Sequence, residues 1–166
     1  MTTQVSELPA TQLPARLPKE LVGNTAYLIA RLGFTFKARA IESAEKAGFS
    51  LYDYSVLELL AEEARETQAT IADALNVDRG QMVGVLDRLE ERGLIERKRD
   101  PEDRRRHVVS LTPEGRRALT LLRATMRRLQ EDLLGPLDPK QRTTLHELLT
   151  QVASYHDPRC DLQTGG

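Results

Sequence analysis

The sequence predicts a mainly α fold with one small β-hairpin (α+β), and three observations carry that reading. Apolar residues recur at helical spacing over most of the chain. Near its middle a short helical pattern joins a second one through a tight turn at Asn76, Val77 and Asp78. Directly after that second pattern comes GLIERKRDPEDRRRHVVSLT, Gly93 to Thr112, in which two β-branched, alternating runs flank a turn crowded with arginine and aspartate.

Taken in order, Lys19 to about Lys46 predicts one long helix, apolar on more than one face through Leu21, Tyr27, Leu28, Ile29, Leu32, Phe36, Ala40, Ile41 and Ala44, with Gly48 as its stop. Ser50 or Asp53 caps a second helix carrying Val56, Leu57, Leu59, Leu60 and Ala64. Thr67 caps a short third helix from Gln68 to Leu75, with Ile71, Ala72 and Leu75 turned inward. Asn76 suits a left-handed turn, Val77 plugs the core, and Asp78 caps the next helix. That helix, Arg79 to Arg92, sets Met82, Val85, Leu86 and Leu89 on one stripe and a polar face on the rest.

Leu94, Ile95, Val108, Val109 and Leu111 then supply strand formers, and Asp100, Pro101, Glu102 and Asp103 supply turn chemistry. Thr112, Pro113 and Glu114 read as the cap and first turn of a further helix. Along it Leu119, Leu122, Met126, Leu129 and Leu133 alternate spacings of three and four, a coiled-coil-like seam. Gly135 and Pro136 end it, Asp138 caps a last helix, and Leu145, Leu148, Leu149 and Val152 form its apolar stripe.

Composition narrows the function classes. A chain of 166 residues, 40% hydrophobic and 30% charged, builds one core, shared or not with a partner. Cys160 is the single cysteine, so no intrachain disulfide or cysteine-based metal site is available, and a reducing cytoplasm fits. No apolar run of membrane-spanning length occurs, and residues 1–18 read as a loose, proline-bearing arm. The charge is segregated: residues 40–78 carry two cations and nine anions, whereas residues 79–117 carry eleven cations and eight anions. Such a field presents one face to DNA while the acidic side stays in water, despite a total charge of -1. From Arg97 to Arg106 six cations meet three anions, and carboxylates so interspersed can orient guanidinium forks.

A helix, turn, helix followed at once by a basic hairpin is a winged helix-turn-helix. In that arrangement the second helix lies in the major groove and reads bases from its N-terminal residues, here Arg79, Gly80, Gln81 and Val83. Gln81 can pair bidentately with adenine, Arg79 can reach a phosphate or guanine, and Val83 can pack on a thymine methyl. Gly84, in mid-helix, costs roughly 1 kcal/mol relative to alanine, which close approach of DNA backbone or of another helix would explain.

TIADALNVDRGQMVGVLDRLEERGLIERKRDPEDRRRHVVSLTPEG, residues 70–115, resembles the MarR (multiple antibiotic resistance regulator) family of bacterial transcription regulators, most specifically in DPEDRRRHVVSLTPEG after RLEERGLIER. The helix order on either side agrees, so the resemblance covers most of the chain. It implies that residues 19–156 form one domain, with a winged helix-turn-helix at about 50–112, dimerisation helices at about 19–47 and 113–156, and a tail at 157–166. It further implies that Asp103 orients the guanidinium of Arg105 for entry into the minor groove. The surrounding wing cations Arg97, Arg99, Arg104 and Arg106 are read as backbone contacts, and Arg88, on the polar face of the second helix, as a further DNA-binding candidate. Val83 and Gly84 stand where many relatives carry serine or threonine and a basic residue, which implies a different operator preference.

The resemblance also implies a homodimer whose two recognition helices meet a pseudo-palindromic operator in double-stranded DNA, with repression as the default outcome. Family members often bind small aromatic or phenolic anions, and Tyr27, Arg31, Phe34, Tyr52 and Tyr54 are the candidate lining residues here. No cofactor is expected. His107, His146 and His156 lack metal-ligand spacing, and no phosphate loop, nucleophile elbow or histidine beside a nucleophile points to an enzyme. The rival reading is a winged-helix adaptor whose cations bind an acidic protein partner.

Overall fold

The computed structural model describes residues 16–62, 66–101 and 103–161. Most of the expected N-terminal arm and the last five residues of the expected tail lie outside them. The chain divides into two compact units, residues 1–37 and 38–166, and each is taken separately.

In the first unit the expected single helix is two: α1, Lys19–Val22, and the start of α2, Thr25–Lys46. The break falls at Gly23 and Asn24. Gly23 closes α1, and Asn24 Oδ1 accepts the Tyr27 N–H at 3.0 Å, capping α2. Apolar periodicity runs across both helices and hides this join, because a local side-chain cap competes with helix continuation without changing the apolar pattern.

The second unit holds the winged domain. Its elements are α3, Leu51–Glu62; β1, Glu66–Thr67; α4, Gln68–Ala74; α5, Arg79–Glu91; β2, Ile95–Arg99; β3, His107–Leu111; α6, Pro113–Leu133; α7, Pro139–His156; and a 3-10 turn, Pro158–Cys160. Each helix starts where a short polar side chain satisfies the first amides. Ser50 caps α3, its Oγ accepting the Asp53 N–H at 3.0 Å while Asp53 Oδ2 accepts the Ser50 N–H at 2.7 Å. Thr67 caps α4, Thr112 caps α6, and Asp138 caps α7 in a reciprocal box with Gln141. Asn76 adopts φ 50 between α4 and α5, as its turn position requires.

The expected hairpin is the larger part of a three-stranded antiparallel sheet. β3 lies in the middle, pairing β2 on one edge (Arg97 opposite Val109) and β1 on the other (Glu66 opposite Val109). β1 was not legible as a strand: two residues show no alternation, and only β3 reveals where they pair.

One core holds these pieces together. Val56, Leu57 and Leu60 of α3, Ile71 of α4, Met82, Leu86 and Leu89 of α5, Ile95 and Val109 of the sheet, and Leu119 and Leu122 of α6 are all buried together. Each such leucine contributes roughly 1.5–3 kcal/mol relative to exposure. Thus the first half of the expected α6 seam is core of the winged domain. Further on, Met126, Leu129 and Leu133 are only half-buried, and Leu148, Leu149, Val152 and Tyr155 of α7 are exposed.

The base of the wing is sutured to α6. Thr112 donates its hydroxyl to the Gly93 carbonyl at 2.6 Å and its N–H to the Leu94 carbonyl at 3.1 Å. Gly115 sits so close that a Cβ there would fall 2.0 Å from the Leu94 carbonyl oxygen. Any other residue would push α6 off the strand.

Candidate nucleic-acid interface

α5 is aimed by its cap. Asp78 Oδ1 accepts the Gly80 and Gln81 N–H groups at 2.8 and 3.1 Å, fixing where the helix begins. With Met82, Val85, Leu86 and Leu89 buried, Arg79, Gln81 and Val83 stand exposed. Among the described residues Arg79 pairs only with Asp73, at 3.8 Å, and both side chains are mostly in water. Gly84 opens onto space: a Cβ there would meet only the Arg88 guanidinium, at 4.0 Å. Close approach of another helix, one of the two reasons expected for this glycine, is therefore absent among the described residues.

Arg97, expected to reach outward, is committed inside the protein, whereas Arg88 remains more than half exposed while leaning on its own helix and toward α3. Arg88 Nη1 donates to the Gly84 carbonyl at 3.1 Å, and Nη2 lies 3.4 Å from the carboxylate of Asp53, the buried polar residue at the start of α3. Arg97 Nη2 donates to Asp87 at 2.7 Å and Nη1 to Glu90 at 2.6 Å, while its backbone N–H donates to the other Glu90 oxygen at 3.1 Å. Its side chain is 20% exposed, and the buried Nε has no partner. The reason is register: Arg97 lies two residues into β2, where its side chain falls against the outer turns of α5. Arg92, which sequence reasoning passed over, ends α5 by donating to the Gly48 carbonyl at 2.8 Å, with its guanidinium 4.1 Å above the Phe49 ring.

The turn presents the remaining cations. Arg99, Arg104, Arg105 and Arg106 are exposed and make no ion pair among the described residues. Asp103 does act on Arg105, but through the backbone: its Oδ1 accepts the Arg105 N–H at 3.0 Å. The turn closes through Arg106 N–H to the Asp103 carbonyl and Asp100 N–H to the Arg106 carbonyl, both at 2.9 Å. The carboxylate thus shapes the chain that carries Arg105 and leaves its guanidinium unpaired among the described residues.

Between wing and helix-turn-helix lies a cleft of about 460 Å³ lined by Thr67, Gln68, Ala69, Arg79, Arg106 and His107. Only Arg79 and Arg106 of these were candidates from sequence. Gln68 belongs to no motif, and His107, although inside the wing motif, reads from the sequence only as a possible metal ligand, since only folding brings residue 68 beside residue 107.

The five candidate ligand residues fall into separate groups. In the first unit Tyr27, Arg31 and Phe34 line a hollow of about 410 Å³ along α2, with Ala30 and Thr35. The Tyr27 hydroxyl accepts from Arg31 Nη1 at 3.5 Å, and Phe34 is 79% exposed. In the second unit Tyr52 is exposed on α3, whereas Tyr54 is half-buried against the core. Burial and the neighbouring Glu58 carboxylate push the Tyr54 hydroxyl up to about 12. Glu58 is itself held below the usual carboxylate range by Arg123, which donates to it at 2.6 to 3.1 Å. Tyr54 is thereby engaged in packing and in the link between α3 and α6.

The MarR family model matches residues 49–107, from the start of the core to the first residue of β3. A putative transcriptional regulatory protein for the hcr operon of Thauera aromatica is 36% identical over 115 residues, covering 69% of this chain and 68% of that one. Among solved structures, CouR from Rhodococcus jostii RHA1 bound to p-coumaroyl-CoA superposes with a TM-score of 0.70 at 28% identity, covering 85% of this chain and 97% of that one. The transcriptional repressor CouR bound to a 23-mer DNA duplex superposes with a TM-score of 0.72 at 30% identity, covering 84% and 99%. An exposed recognition helix, a cationic wing and these likenesses agree: the chain belongs to the MarR family of winged helix-turn-helix, DNA-binding transcription regulators.

Proposed function

We propose that this protein is a cytoplasmic homodimeric repressor that binds a pseudo-palindromic operator and is released by a small aromatic or phenolic ligand. One observation carries the DNA-binding geometry: the wing tip projects four cations without ion pairs among the described residues, on the element that directly follows an α5 whose own exposed residues are Arg79, Gln81 and Val83. α5 enters the major groove, where Gln81 reads adenine and Val83 packs on a thymine methyl. Arg105 enters the minor groove, and Arg99, Arg104 and Arg106 neutralise phosphates. Arg97 serves this surface by bracing α5 and not by touching DNA, while the exposed Arg88 adds a further cation beside it.

Dimerisation is supported by the apolar residues that α7 leaves exposed, Leu148, Leu149, Val152 and Tyr155, too many for a helix end that faces only water. Repression and release by a ligand are supported by the likeness to CouR, described as a repressor and seen with p-coumaroyl-CoA. Tyr27, Arg31 and Phe34 combine aromatic faces with a guanidinium, the chemistry an aromatic anion requires.

Footprinting on the DNA flanking the protein's own gene tests the reading. The expected result is two protected half-sites one helical turn apart, binding that weakens steeply with salt, and release by phenolic acids or their thioesters. A negligible salt slope would remove the DNA-binding assignment.

A further inference from the structure

The cleft between the helix-turn-helix and the wing has donors on several sides and no carboxylate in its lining. Arg79 opens α5, Arg106 and His107 stand where β3 leaves the turn, and Gln68 opens α4. We propose that this cleft seats one phosphate of the operator backbone, and that His107 joins the contact as imidazolium, so that operator affinity rises as pH falls. The inference rests on the DNA-binding reading of the same face and adds to it a phosphate site, two residues and a proton.

The chemistry of the lining points to an oxyanion. Two guanidinium groups and a carboxamide donate N–H, and a protonated imidazole adds two more donors in place of one donor and one acceptor. Arg106 makes no ion pair among the described residues, and Arg79 is held only by the 3.8 Å approach of Asp73, with both side chains about two-thirds exposed or more. An exposed pair of that kind is worth little and yields readily to a phosphate. The position fits as well. When the N-terminal end of α5 faces base edges, the adjoining DNA backbone passes between that end and the wing, where the cleft lies.

His107 supplies the proton linkage. Arg79 comes from α5, Arg106 precedes His107 in the chain, and Arg99 is its Cα partner on β2. On β1 the Glu66 carboxylate accepts the Thr70 hydroxyl, and on α4 Asp73 faces Arg79. Cationic residues therefore neighbour His107 in the chain, across the strand pair and in the cleft lining, while Glu66 and Asp73 have other partners. A phosphate arriving in the cleft is the anion that an imidazolium can pair with, so binding there is coupled to uptake of a proton.

The test measures affinity for the footprinted operator by fluorescence anisotropy from about pH 8 to about pH 6 at constant ionic strength, with the full chain and with His107→Gln. The wild type should tighten roughly fivefold, the effect of one charge-assisted hydrogen bond, and His107→Gln should stay flat. A scan of duplexes carrying one neutral methylphosphonate linkage should find a position that abolishes the wild-type pH dependence and leaves His107→Gln no weaker than loss of a single phosphate contact explains. Inorganic phosphate at matched ionic strength separates the two sources of the anion. Competition beyond that of chloride should occur with the unmodified operator and vanish with the neutral linkage. Competition that the neutral linkage leaves unchanged would assign the cleft to free phosphate and overturn the backbone contact. Equal pH slopes in wild type and variant, or no neutral linkage that removes the slope, would also overturn it. Tight, salt-sensitive but pH-independent binding would leave the regulator reading intact, whereas no operator binding at any pH would remove both.

Discussion

Arg97 on β2 donates twice to Glu90 on α5, from its backbone N–H at 3.1 Å and its guanidinium at 2.6 Å, and so locks the wing to the recognition helix at a defined height. Replacing Glu90 by alanine removes both acceptors and leaves the partly buried guanidinium with Asp87 alone. Glu90→Ala should destabilise the fold by about 1–2 kcal/mol, read as a lowered Tm. Asp87→Ala, which removes the partner that is half in water, should lose less than about 1 kcal/mol. Equal effects of the two variants would show that the brace does not run through Glu90.

Arg105 and Asp103 separate contact from shape. Arg105→Ala should leave Tm unchanged, since its guanidinium makes no ion pair among the described residues, and should weaken operator binding by more than about 1 kcal/mol. Asp103→Asn keeps an oxygen that can accept the Arg105 N–H and should retain most of the affinity, whereas Asp103→Ala should approach the Arg105→Ala loss. If asparagine proves as damaging as alanine, the carboxylate charge matters more than the turn.

Leu148 and Val152 lie one turn apart on α7, 56% and 54% exposed. Placing a charge at both, Leu148→Glu with Val152→Glu, should convert the proposed dimer to monomer in sedimentation velocity while the circular dichroism of the winged domain persists, because neither side chain belongs to its core. An unchanged dimer would place the interface elsewhere.

The Tyr54, Glu58 and Arg123 cluster predicts stability limits at both ends of the pH scale. Burial raises Tyr54 to about 12 from 10.0, so above about pH 10 the unfolded chain releases a proton that the folded chain keeps. Its contribution is therefore whole below that point and is lost as pH rises. Glu58 behaves oppositely: Arg123 lowers it, so its contribution is present above the ordinary carboxylate range and is lost as pH falls below it. Tyr54→Phe should flatten the alkaline limb of a Tm profile, and Glu58→Gln should flatten part of the acid limb. Parallel profiles for wild type and variants would rule the cluster out.

The pieces legible in the chain were those coded by neighbours in sequence. Ser50, Thr67, Asp78, Thr112 and Asp138 cap helices because a side chain two or three residues from an unsatisfied amide needs no distant partner. Met82, Val85, Leu86 and Leu89 were readable as one buried stripe for the same reason. Reading failed where two local signals competed, as at Asn24, and where a strand of two residues took its identity from β3.

At the site the division is sharper. Sequence by itself determined that α5 is followed by a cationic turn shaped by Asp103, since every residue involved lies within a few positions of the next. Only the tertiary structure decided which cations are outward. Arg97 and Arg104 look alike in the chain, yet Arg97 is drawn to the carboxylates of Glu90 and Asp87 by strand register, while Arg104 makes no ion pair among the described residues. The cleft that joins Gln68 to His107 is of the same kind: it exists because β3 pairs with β1, a contact across about forty residues that no local pattern encodes.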